Sequence, residues 1–149
     1  MMGSMDVIPA SVLVIETHPI MRTALCMAIA AEADLTVLEQ GTKSTRGVQM
    51  VISLKSDDIF LTSRPDIILL AMGTPGLEEL EALKALRNFL PETPILALIS
   101  SEVPGQEQAA LEAGAQAVLT KAAPRAELIR ALQELSLKPS IPKEENSHR

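Results

Sequence analysis

The residues able to do chemistry are few, and they fall at the ends of apolar runs. Glu16 and Thr17 follow one run, Ser100 and Ser101 another, and Thr120 and Lys121 a third. Carboxylate, hydroxyl and ammonium groups can hold anions or move protons. No nucleophile–base pair or carboxylate dyad, however, can be assembled from Glu16, Thr17, Ser100 and Lys121. The best-placed position, at the end of the run 67–71, holds Ala71, a methyl group that can do no chemistry. Thr74 lies just beyond it, with no base identified to activate its alcohol. His18 reads as a surface residue at a helix start, and the other histidine, His148, lies in the tail, so a histidine metal site is not expected. Cys26 is the single cysteine, which excludes a disulfide framework and a cysteine-based metal site; it reads as a small buried filler.

Positioning those residues falls to a chain that alternates short apolar runs with amphipathic segments. Pro65 to Gly76 is the centre: Ile67 to Ala71 is too short for a helix and is bounded by Pro65, Gly73, Pro75 and Gly76. This is the pattern of a strand buried on both faces. Ser11–Ile15, Leu35–Glu39, Ile95–Ile99 and Ala117–Leu119 supply four more strands. Helices are expected from Ile20 to Ala33, from Leu77 to Leu90, from Gly105 to Ala113 and from Pro124 onward, with Leu128, Ile129, Leu132 and Leu135 on one face of the last. Residues 42–64 are expected to hold an extended helix followed by an extra turn. The stripe Leu77, Leu80, Leu83, Leu86, Leu90 is expected in the core, and Glu78-Glu79-Glu81 on a solvated face. Five strands alternating with five helices make a three-layer, doubly wound (βα)5 parallel sheet of the flavodoxin type.

Composition narrows the function. The chain has 149 residues, a net charge of -6, and aromatics limited to two Phe. Acidic charge and the lack of stacking platforms argue against nucleic acid as a partner. No apolar run approaches the roughly 20 residues of a membrane span, and no secretion signal is visible, so a cytoplasmic location is expected. Residues 1–10 read as an N-terminal extension or expression remnant, 11–137 as the domain, and 138–149 as a disordered, proline-punctuated tail too short for a DNA-binding helix-turn-helix.

In such a sheet the C-terminal strand ends converge, and there the sequence resembles the receiver domain of two-component response regulators, over about Ser11 to Leu135. Val12-Leu-Val-Ile-Glu-Thr-His-Pro19 resembles the family's first strand with its acidic pair. Pro65 to Gly76 is similar to the phosphoacceptor strand and loop, Pro94 to Ser101 to the fourth strand with its hydroxyl, and Gly114 to Lys121 to the segment ending in the active-site lysine. The resemblance implies a magnesium-dependent aspartyl phosphorylation by a histidine kinase, and an output or dimer face formed by helix 4, strand 5 and helix 5, here about Gly105 to Leu135. Residue by residue, Ser100 and Lys121 match. Glu16 can serve as one acid, Thr17 cannot serve as the other, Ala71 stands at the acceptor position, and Val118 stands at the aromatic switch position.

Those departures set the expectations. Magnesium takes near-octahedral oxygen coordination, so its binding is expected to be weak or absent and no cofactor is expected. Lys121 is read as a structural cation rather than a phosphate binder, paired with Glu16, because an unpaired buried ammonium would cost about 3–5 kcal/mol. The implied function is a stand-alone, non-enzymatic pseudo-receiver working by contact with a histidine kinase or another regulator, or as a homodimer. The alternative is a nucleotide- or flavin-binding module on the same fold, although no glycine-rich phosphate loop follows the first strand.

Overall fold

The computed structural model describes residues 8–41 and 65–137. Five strands form one parallel sheet: β1 (Ala10–Ile15), β2 (Leu35–Gly41), β3 (Ile67–Ala71), β4 (Ile95–Ile99) and β5 (Ala117–Thr120), in the order β2-β1-β3-β4-β5. The helices are α1 (Pro19–Ala30), α2 (Leu77–Phe89), α3 (Gln106–Ala113) and α4 (Arg125–Leu137). The helix and turn expected within 42–64, and the tail from Lys138, lie outside the described residues.

Alternation along each strand sends successive side chains to opposite faces, and both faces are covered. Leu13, Ile15, Ile68, Leu70, Ile95 and Ala97 meet Leu83 and Leu86 of α2, Leu90 just after it, and Ala110 and Ala113 of α3. Val12, Val14, Ile67, Leu69, Leu96 and Leu98 meet Cys26 and Ile29 of α1 and Leu128, Ile129 and Leu132 of α4. All five residues of β3 and all five of β4 are buried, as two-sided burial demands. Each fully buried Leu or Ile contributes about 1.5–3 kcal/mol, and Phe89 is the one aromatic among the described residues that packs against this otherwise aliphatic core.

Three sequence expectations are corrected. Helix α1 stops at Ala30 rather than Ala33, because Glu32 N–H donates to the Ile29 carbonyl and Leu35 N–H to the Glu32 carbonyl, a tight turn that delivers the chain into β2. Leu77 is 68% exposed: it is the first residue of α2, before the helix reaches the sheet. Glu79 is buried rather than solvated, its carboxylate lying over Gly73, where an added Cβ would come 3.4 Å from Oε2.

Candidate functional site at the C-terminal strand ends

The strand order reverses between β1 and β3, and ligand chemistry in open α/β sheets gathers at such a reversal. The registers fix which residues meet there. Ile15 pairs with Leu70, Ala71 with Leu98, and Ile99 with Thr120. The ladder runs on through Met72 N–H to the Leu98 carbonyl (2.8 Å) and Lys121 N–H to the Ile99 carbonyl (2.9 Å). Glu16 therefore lies level with Ala71, and Ser100 level with Lys121, the second pair two residues farther along the strands than the first.

Each side chain is held differently. Glu16 is buried at 6% exposure; its Oε2 accepts the His18 N–H at 2.9 Å, and its backbone carbonyl accepts Arg22 Nη1–H at 3.2 Å. Thr17 and His18 are exposed, and His18 precedes α1 without a side-chain capping bond. Ala71 is buried among the apolar side chains facing α1 and α4. Val118, half-buried, packs on the opposite face against the α2–α3 side. Ser100 turns to its own loop, where its Oγ accepts the Glu102 N–H at 3.1 Å.

The expected ion pair between Glu16 and Lys121 does not form. Lys84 and Glu81 do form an ion pair, at 3.9 Å. The Glu16 carboxylate is drawn back to the His18 N–H, while Lys121 leaves the last strand into solvent and needs no buried partner. The two residues instead border one cavity of about 220 Å³ between α1 and α4. Among the described residues no group of three or more His, Cys, Asp or Glu is placed to hold a metal ion.

Two features escape sequence reasoning. Gln106, 3% exposed, spans the gap between two strand-end loops: its Oε1 accepts the Ser100 N–H (2.8 Å), and its Nε2 donates to the carbonyls of Gly73 (3.1 Å) and Pro75 (3.0 Å). Gly76 makes room for it. A Cβ there would lie 2.6 Å from Nε2, and its φ of +86° suits glycine. Arg87, the second, donates to the carbonyls of Leu90, Pro91, Thr93 and Gly114 and to Gln116 Oε1. Burial lowers its pKa. It clamps the end of α2 to the α3–β5 turn.

A doubly wound sheet in this order, with a buried carboxylate, a hydroxyl and a lysine at successive strand ends, is the layout of a signalling receiver. A family model described as "Response regulator receiver domain" matches residues 12–133, and the chain belongs to that family. It is 30% identical over 126 residues to the nitrate/nitrite response regulator protein NarL of Escherichia coli K12, covering 85% of this chain and 54% of that protein. It is 27% identical to the transcriptional regulatory protein LiaR of Bacillus subtilis, covering 84% of this chain and 55% of that protein. The chain thus spans about half the length of these relatives. The signal receiver domain of the putative response regulator NarL from Mycobacterium tuberculosis shares the fold at 20% identity, with a TM-score of 0.73 over 89% of this chain and 99% of that one. A LuxR-family two-component response regulator from Aurantimonas does so at 22% identity, with a TM-score of 0.72 over 95% and 98%.

Proposed function

We propose that this chain is a receiver domain that signals through protein contact and is not phosphorylated at the third strand. The observation that carries the reading is Ala71. The central strand ends in a buried methyl group, which cannot attack phosphorus, at the position the family's layout gives to the acceptor. The surroundings support it. The carboxylates at these loops are Glu16, already engaged by a backbone N–H, and Glu79, buried over Gly73, and the Thr17 hydroxyl is exposed. That donor set does not fit magnesium, which relies on several oxygens in near-octahedral array.

The domain works without enzymatic activity, in the cytoplasm, and its partners are a histidine kinase, another regulator or a second copy. The contact face is the surface of α3, β5 and α4. The chain's net charge of -6 disfavours nucleic acid. Among the described residues no helix is long and apolar enough to cross a membrane. A cavity of about 220 Å³ falls below the roughly 300 Å³ at which ordinary ligand pockets begin, which disfavours a flavin or nucleotide.

The test is incubation with magnesium and beryllofluoride, and separately with a small phosphodonor, followed by intact mass and amide NMR. The expected result is unchanged mass and no magnesium-dependent shift at the strand ends. A stoichiometric, hydroxylamine-labile acyl phosphate would overturn the reading.

A further inference from the structure

The cavity between α1 and α4 is built unevenly. Its walls are Met21 and Leu25 of α1, Leu98 at the end of β4, and Leu128 of α4. Its rim carries Lys121 and Arg125, both exposed, and neither makes a side-chain hydrogen bond or ion pair among the described residues. Two unpaired cations at one mouth are notable in a chain with 19 acidic and 13 basic residues. The carboxylates in the neighbourhood are otherwise placed: Glu16 is turned to the His18 N–H, and Glu127 is exposed on the first turn of α4. The space is open because α1 presents Ala24 and Ala28 where larger residues would fill it.

An apolar chamber with a cationic mouth is complementary to a small molecule of matching polarity. We propose that this cavity is a binding site for a small amphipathic carboxylate, an aliphatic or aromatic acid. Its apolar body lies against Met21, Leu25, Leu98 and Leu128, and its carboxylate meets Lys121 and Arg125. Such a ligand bridges α1 to the start of α4 and supplies an input that needs no phosphoryl group. The site rests in part on the reading above, since a lysine that holds no phosphoryl group is free to hold another anion. The free oxygen of Glu16 favours acids that also carry a hydroxyl, which can donate to it.

The test is titration of the methyl-labelled protein with benzoate and hexanoate, with benzyl alcohol and benzylamine as controls. Saturable shifts are expected at the methyl groups of Met21, Leu25 and Leu128 for the acids, with weaker binding of the alcohol and amine. Lys121→Gln with Arg125→Gln, both at exposed positions, should weaken acid binding about a hundredfold, roughly tenfold for each of the two lost charge-assisted hydrogen bonds. Ala24→Leu, also at an exposed position, should abolish the shifts by filling the chamber. No saturable shift, equal binding of benzylamine, or shifts that survive Ala24→Leu would each overturn the site. These titrations contain no phosphodonor or beryllofluoride, so their failure is distinct from failure of the phosphorylation reading.

Discussion

Replacing Gln106 with leucine would remove an amide that joins two loops while keeping the side chain's bulk. The wild-type amide makes three hydrogen bonds, from the Ser100 N–H and to the carbonyls of Gly73 and Pro75. At about 1 kcal/mol net for each, Gln106→Leu should cost about 3 kcal/mol. For a chain of this size that is a fall of about 6–12 °C in melting temperature. Differential scanning calorimetry gives the total, and amide exchange at Ser100 should speed up more than exchange in β1. Gln106→Glu is the sharper variant. Its carboxyl can still accept from Ser100, but once ionised it faces two carbonyls. Its folded-state pKa is therefore raised above the unfolded value of about 4.3. The sign follows: stability is retained below that value and lost as pH rises through the folded pKa. A Gln106→Leu melt within 3 °C of wild type, or a Gln106→Glu melt equal to wild type at pH 7, would refute the idea that this amide ties the loops together.

Arg87→Lys should lower stability by about 2–3 kcal/mol, because one ammonium cannot reproduce a fork that reaches four carbonyls and an amide oxygen; thermal melts check this, and a loss below about 1 kcal/mol would argue against the clamp. Burial pushes the Cys26 thiol above its ordinary 9.0, an effect partly offset by Arg22. The thiol should therefore react slowly with a disulfide reagent at pH 8 until the protein unfolds. The raised folded pKa also means that its contribution to stability holds below about 9 and fades as pH rises beyond it, a slope that Cys26→Ala should flatten. Ala71→Asp should destabilise the domain by about 2–4 kcal/mol, since it buries a carboxylate beside that of Glu16. Magnesium should recover that loss only when Thr17→Asp is added, measured as a magnesium-dependent shift in melting temperature.

The strands were readable because a two-faced strand must be apolar throughout and must be punctuated: Ile67–Ala71 and Ile95–Ile99 lie between prolines, glycines and serines, and both are fully buried. Helix faces were readable where they lie on the sheet, as for Leu83, Leu86 and Leu90, and misread at Leu77, where the helix has not yet arrived. Glu79 looked solvated because its neighbours are charged. The clue to its burial lies in the preceding loop, in the missing side chain of Gly73. Gln106 carried no signal of its own beyond Gly76, whose lack of a Cβ leaves the amide its place. The pairing of Glu16 with Lys121 assumes that opposite charges at converging strand ends meet, although two strands lie between β1 and β5. A backbone N–H two residues away was the nearer partner for the carboxylate.

The two apolar clusters share no side chain, because the sheet's backbone lies between them. Like a septum, it makes the domain mechanically two half-cores. Substitutions on opposite sides, such as Leu86→Ala and Leu132→Ala, should add in their cost to within about 0.5 kcal/mol. Information that enters at α1 or α4 and leaves at α3 cannot travel from side chain to side chain through the middle. Its open route is around the rim, along the strand ends, where Gln106 already fastens one loop to the next.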